Sequence, residues 1–153
     1  MEAFRARGKI VEEEFAKNLK DPKWSNDNEN FTEHWDIEGV LEDKSFKFDV
    51  KDLKKFNRKD SRPQDKMACV EYVGVGGYPG WVQGKADYIA FKREKYSWLV
   101  VNRQALWDML KVKLEEREYS QTKRQWYEEK EPYATYDRSF FDKKDKFCWV
   151  PFE

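Results

Sequence analysis

The chain has 153 residues, 39% of them charged, with 30 Lys and Arg against 30 Asp and Glu and a formal net charge of zero. Mean hydropathy is −1.05, but aromatics reach 17%, and the chain lacks the high net charge that goes with disorder, so a polar domain with an aromatic-rich core is expected. The length fits one domain, no apolar run approaches about 18 residues, and the first ten residues, MEAFRARGKI, hold no apolar signal region. A membrane partner is therefore not expected. Cys69 and Cys148 form no CxxC pair and suit a reducing, cytoplasmic setting. His34 is the single histidine, which excludes a His-rich metal site and leaves His-dependent nucleophile chemistry resting on one side chain. The neutral balance gives no uniformly basic coat for nucleic acid, though a local basic patch is allowed.

In chain order, residues 8–20 read as a helix, with Val11, Phe15 and Leu19 at helical spacing, stopped by Asp21-Pro22. Residues 24–33 are polar and loop-like, with room for one short edge strand. From Trp35 to Leu53 the period becomes two: Trp35, Ile37 and Leu41, then Phe46, Phe48 and Val50 after the turn-like Glu42-Asp43-Lys44-Ser45. That pattern predicts a hairpin. Residues 51–66 hold seven Lys and Arg against three Asp, a local net charge of +4. Then come ACVEYVGV, a Gly-rich turn at 76–80, GKADYIAFKRE and SWLVVN, which predict three strands, the second running from Trp81 to Phe91. Gly74-x-Gly76-Gly77-x-x-Gly80 superficially matches a dinucleotide fingerprint, but a predicted strand follows it where that fingerprint needs a helix. Residues 103–114 predict an amphipathic helix with Leu106, Met109 and Leu110 on its apolar face. A charged helical extension is expected over 115–131 and an aromatic tail or last strand over 133–152. The order of elements predicts an α/β fold with a mixed sheet flanked by helices.

Candidate chemistry centres on Asp49-Val50-Lys51. The triplet alone is common by chance in so charged a chain. Its strand sets it apart: Phe46, Phe48 and Val50 take one face, so Asp49 and Lys51 share the other. A turn centred between Asp43 and Lys44 would place Asp36 opposite Lys51 and Glu38 opposite Asp49. Glu12 borders the helix face that carries Phe15, Ala16 and Leu19, where a carboxylate is costly unless paired or bound to a cation. Glu12, Asp36 and Asp49 together suit Mg²⁺ or Mn²⁺, and Lys51 suits orienting a water or stabilising charge on phosphate. The plainer alternative is a solvated salt-bridge cluster on a hairpin, with Glu12 as a surface helix charge. His34 falls on the face of Asp36 and reads either as a contact to the metal's water shell or as a hydrogen-bonded structural residue. Lys85 and Asp87 share a strand face that borders the site or serves the fold alone. Trp81 reads equally as a base-stacking ring or a core cap. Beside a metal site, Lys54, Lys55, Arg58, Lys59 and Arg62 become candidate phosphate contacts.

The order helix-Glu12, strand-Asp36 and then Asp49-x-Lys51 resembles the PD-(D/E)XK nuclease superfamily. The intervals of 24 and 13 residues are similar to those of small Holliday junction resolvases. His34-Trp35-Asp36, Phe48-Asp49-Val50-Lys51 and Gly80-Trp81 with Gly84-Lys85-Ala86-Asp87-Tyr88 resemble small nuclease-like proteins of tailed phages. The likeness covers about residues 8–110, and Trp35 stands where the family pattern often has Pro. It implies a restriction-endonuclease-like sheet in a single domain, Mg²⁺ or Mn²⁺ on Glu12, Asp36 and Asp49, and Lys51 assisting attack of water on a DNA phosphodiester. It also implies a cytoplasmic protein, in the host cell if phage-encoded. The assembly is left open between monomer and homodimer. A non-catalytic nucleic-acid- or protein-binding phage protein on the same fold is the alternative.

Overall fold

The computed structural model describes residues 2–54, 67–74, 77–94, 97–115 and 147–151. Helix α1 covers Glu2–Ala16. It ends because both the backbone and the side-chain N–H groups of Asn18 donate to the Phe15 carbonyl, at 2.9 and 3.1 Å, which satisfies an orphan acceptor of the last turn. The helix thus stops four residues before the predicted boundary at 20. Strand β1, Lys20–Trp24, contains the Asp21-Pro22 step, and its register with the next strand breaks between Lys20 and Lys23. Pro is admitted there because β1 is an edge strand with a local irregularity.

The segment predicted as loop holds helix α2, Asp27–Glu33. Its start is a reciprocal cap: the Asn26 side chain accepts from Glu29 N–H at 2.8 Å, and Asn26 N–H donates to Glu29 Oε1 at 3.1 Å. No α2 residue is buried, so no apolar period betrayed it.

Strands β2 (Ile37–Leu41) and β3 (Lys44–Lys51) form the expected hairpin. The turn is only Glu42-Asp43, both residues left-handed at φ 51 and 68°, as the tight two-residue hairpin requires. The ladder therefore pairs Leu41 with Lys44, Glu38 with Lys47 and Ile37 with Phe48. This corrects the predicted register by two residues. A two-residue shift keeps every side chain on its face but changes partners. Glu38 does not face Asp49, and one step beyond the ladder Asp36 falls against Asp49 rather than Lys51.

Strand β3 next pairs in parallel with β5 (Tyr88–Lys92), which pairs antiparallel with β6 (Trp98–Asn102). The result is a five-stranded mixed sheet in the order β1-β2-β3-β5-β6. Strand β4 (Met67–Glu71) leaves that sheet and pairs antiparallel with β7 (Phe147–Pro151). Cys69 lies opposite Trp149 and Cys148 opposite Val70, which puts the two thiols on opposite faces of this ribbon. Both are free. Between β4 and β5 the Gly-rich segment folds back, with Val73 bridged to Pro79 and Gly77 at φ 82°. Trp81–Gln83 is a single 3-10 turn, so the strand predicted from Trp81 begins only at Tyr88. Residues 103–115 form helix α3.

The molecule is a single α/β domain with a mixed sheet and, among the described residues, three helices. Its sheet is covered on both faces. On one face α1 buries Val11, Phe15, Ala16 and Leu19 against Ile37, Phe48, Val50 and Ala90. Gly39 allows the approach of Leu19, because a Cβ there would lie 2.9 Å from the leucine side chain. The other face packs Trp35, Trp81, Ile89 and Phe91 with Val70 and Val150 of the ribbon and Leu106 and Leu110 of α3. Met109, predicted on that face, is 41% exposed; Trp107 and Leu114 fill the packing instead. Most of the predicted extension and tail lies outside the described residues; β7 is the described part. No helix among the described residues is long and apolar enough to cross a membrane.

Candidate functional site

The two-residue periodicity of β3 turns Asp49 and Lys51 away from α1 and toward the opposite face. Asp49 is the one charged residue that is fully buried among the described residues, at 3% exposure. Its Oδ1 meets Lys51 Nζ at 3.1 Å, while Oδ2 has no hydrogen-bond donor among the described residues. Lys51 keeps 27% of its side chain exposed, and its ammonium lies 4.6 Å from the centre of the Trp81 ring.

Asp36 sits just before β2, where three strands meet. Its N–H donates to the Phe48 carbonyl at 2.8 Å, and its own carbonyl accepts from Ser25 N–H at 2.9 Å. Its carboxylate is gripped at both oxygens: Oδ1 accepts from Asn30 Nδ2 and Oδ2 from Val50 N–H, each at 2.7 Å. It touches Asp49 on one side and Glu12 of α1 on the other. Glu12 in turn accepts from the indole of Trp24 on β1. The structure thus brings Glu12, Asp36, Asp49 and Lys51 together, although the register that suggested it was off by two.

Two carboxylates in contact repel unless a proton or a cation lies between them. Burial, then the Asp36 charge and the contact with its carboxyl, push Glu12 up to about 7, against smaller opposing effects of Lys9 and Trp24. Burial drives Asp49 well above the usual carboxylate range; Lys51 opposes this and Asp36 adds to it. Burial pulls the Lys51 ammonium down, but Asp49, Asp36 and Glu71 outweigh it, and its pKa ends above the ordinary value. Lys51 is therefore a fixed positive charge at neutral pH, not a base.

His34 is the left-handed C-cap of α2. Burial and then Lys51 lower its pKa, while Glu71 and a hydrogen bond to the Pro79 carbonyl oppose that change. It is neutral at pH 7 and is held by the fold beside the lysine. Glu71, at the end of β4, acts electrostatically on both Lys51 and His34. Sequence reasoning missed it, because alternation with the buried Ala68, Val70 and Tyr72 assigns it outward. Asn30 was missed as well; the capping pattern Asn26-x-x-Glu29 was the one local sign that a helix stands there.

Other candidates fall elsewhere. Asp87 accepts from Lys47 N–H at 2.7 Å, and Lys85 N–H donates to the Glu33 carbonyl at 2.7 Å. Both line a separate hollow with Phe46, Tyr88, Asn102 and Arg103. Trp81 is 8% exposed and packs on Phe91, so it caps the core and presents no open stacking face. Lys54 is exposed and lines a groove with Lys51, Lys92, Arg93 and Trp149. Lys55, Arg58, Lys59 and Arg62 lie outside the described residues.

Among the described residues, no three His, Cys, Asp or Glu side chains form a ready-made metal donor set. The carboxylates instead meet in pairs, Glu12 with Asp36 and Asp36 with Asp49. Mg²⁺ takes one or two carboxylates and completes its octahedron with water and phosphate oxygens. Asp49, whose Oδ2 lacks a donor among the described residues and whose carboxyl meets Asp36, is chemically suited to such an ion. The chain matches no protein-family model, no curated protein and no solved structure at a significant level.

Proposed function

We propose that this chain is a divalent-metal-dependent endonuclease that hydrolyses DNA phosphodiester bonds, on a sheet of the restriction-endonuclease-like kind. The observation that carries the reading is the buried Asp49, with one oxygen on Lys51 and the other without a donor, in contact with Asp36 and through it with Glu12. A purely structural salt bridge has no use for three carboxylates in series. They repel one another, and what relieves them is either the protons that Glu12 and Asp49 hold to unusually high pH or a cation bound in their place.

Asp36 and Asp49 would hold Mg²⁺ or Mn²⁺, with Glu12 alongside. A bound ion of this kind lowers the pKa of its water and takes up charge on a phosphate oxygen. The protein's own groups do the rest. Val50 N–H and Asn30 orient the Asp36 carboxylate. Lys51, kept protonated by its acidic neighbours and seated on Trp81, places positive charge where the pentacovalent phosphate gains negative charge. The buried Trp81 ring covers one side of the Lys51 ammonium, and excluding water there strengthens its charge interactions.

The test is cleavage of supercoiled plasmid and of branched DNA with Mg²⁺ or Mn²⁺, beside Asp49→Asn. Metal-dependent nicking that Asp49→Asn abolishes is expected. Cleavage by the variant at the parental rate, or none by either protein, overturns the reading. DNA or protein binding without cleavage would favour a non-catalytic module, which the zero net charge also fits.

A further inference from the structure

We infer that Asn30 is a positioning residue, which fixes the Asp36 carboxylate in the orientation a divalent cation needs. This inference rests on the reading of the carboxylate cluster as a metal site. Asn30 Nδ2 donates to Asp36 Oδ1 at 2.7 Å and to the Trp35 carbonyl at 3.2 Å. A side-chain amide has two N–H groups, and here each has its own acceptor, so the amide plane is set. Val50 N–H holds the other Asp36 oxygen at 2.7 Å. With one directed donor on each oxygen, the carboxylate cannot turn about its Cβ–Cγ bond without losing one of them. The carboxyl held this way is the one that Asp49 and Glu12 meet.

The helix that carries Asn30 is built for placement, not for burial. Helix α2 buries none of its residues. It is tied by its reciprocal Asn26–Glu29 cap at the start. At the end it is tied by His34 N–H to the Asn30 carbonyl at 3.2 Å and by Lys85 N–H to the Glu33 carbonyl at 2.7 Å. Gly84 permits that docking, because a Cβ there would lie 2.6 Å from the Glu33 carbonyl oxygen. The first turn of this short polar helix is thus capped and its last turn docked on a distant segment, and the Asn30 amide reaches the chain segment that enters β2. A neutral amide also orients Asp36 without adding a further negative charge to a cluster that already holds three carboxylates.

Groups that hold a ligating carboxylate typically affect metal affinity by about 10- to 100-fold. The experiment is Mn²⁺ binding to the full chain, followed by electron paramagnetic resonance titration of free Mn²⁺, on the parent, Asp49→Asn, Asn30→Ala and Asn26→Ala. The Asn26 variant weakens the α2 cap without touching Asp36 and controls for loss of helix. Asn30→Ala is expected to bind Mn²⁺ about 10- to 100-fold more weakly than the parent. Its metal-free melting temperature should be no lower than that of Asn26→Ala, which only loosens the helix carrying Asn30 and should lose clearly less Mn²⁺ affinity than Asn30→Ala. Asn30→Gln keeps the amide but overreaches by one methylene; it should show the same loss and guards against a folding failure of the alanine variant. Parental Mn²⁺ affinity in both Asn30 variants, or an equal loss in Asn26→Ala, overturns the positioning role and leaves the metal site standing. Mn²⁺ uptake by the parent no greater than by Asp49→Asn removes the metal site, and the positioning role with it.

Discussion

Glu12 shows how much a single carboxyl group depends on its neighbours. It titrates near 7 in the folded protein against 4.5 ordinarily. Between those values the unfolded chain has released its proton while the folded chain keeps it, so this group's contribution to stability falls as pH rises across the window. Asp49, also shifted upward, acts in the same direction. His34, shifted downward, opposes them on the acid side of its ordinary 6.5, so the clean measurement is a difference between two proteins. The melting temperature of Glu12→Gln minus that of the parent is expected to grow as pH rises from 4.5 to 7 and to level off above, in metal-free buffer. A difference that stays flat with pH would contradict the burial of Glu12 against Asp36. Added Mg²⁺ should narrow the gap at pH 8, because the ion stabilises the ionised parent and has less to gain in the variant. Glu12, Asp49 and Lys51 were legible in the sequence, because helical and strand periods place them on defined faces. Asn30 and Glu71 were not: each stands among polar or outward-reading neighbours, and only the folded contacts show what they reach.

Single elements carry costs that can be measured apart from the site. The hairpin turn holds Glu42 and Asp43 at φ 51 and 68°, a conformation that costs roughly 1–2 kcal/mol for a residue with a Cβ other than Asn or Asp. The double change Glu42→Asn with Asp43→Gly suits this turn and is expected to raise stability by about 1 kcal/mol in urea denaturation. A loss of stability would show that the turn is not the two-residue one, and would revive the register with Asp36 opposite Lys51. At the α1–β2 contact, Gly39→Val would drive a side chain into Leu19 and is expected to cost about 1–3 kcal/mol. The hairpin's existence and its faces were readable from alternation alone. Its register was not, because Glu-Asp-Lys-Ser offers no Gly or Asn to mark the left-handed pair. Helix α2 escaped for the complementary reason: a helix with no buried side chain leaves no apolar period, only its cap.

At the scale of the whole molecule, mixed-sheet architecture followed from the alternation of periods, but the separate β4–β7 ribbon did not, since its second strand lies far along the chain from its first. Zero net charge means that a polyanion can be drawn only to a local patch. In the sequence, residues 51–66, with a net +4 that includes Lys51, are the candidate for one. Replacing Lys55, Arg58 and Lys59 by Ala is expected to weaken DNA binding and to reduce the slope of log affinity against log salt by up to about 3, since each phosphate contact contributes about 0.9; an unchanged slope would place the contact surface elsewhere. The claim on which everything functional depends is that the Asp49–Lys51 pair performs chemistry and does not merely hold the fold. Lys51→Met keeps the apolar stem against Trp81, removes the charge and leaves Asp36 and Asp49 to bind metal. The deciding measurement is the single-turnover rate of DNA cleavage by this variant with saturating Mg²⁺. Loss of one such electrostatic contact costs on the order of 10²–10³ in rate, and that loss is expected with melting temperature and Mn²⁺ affinity close to parental. Cleavage at the parental rate, or a variant that no longer folds, would contradict it and leave the pair as a structural ion bridge.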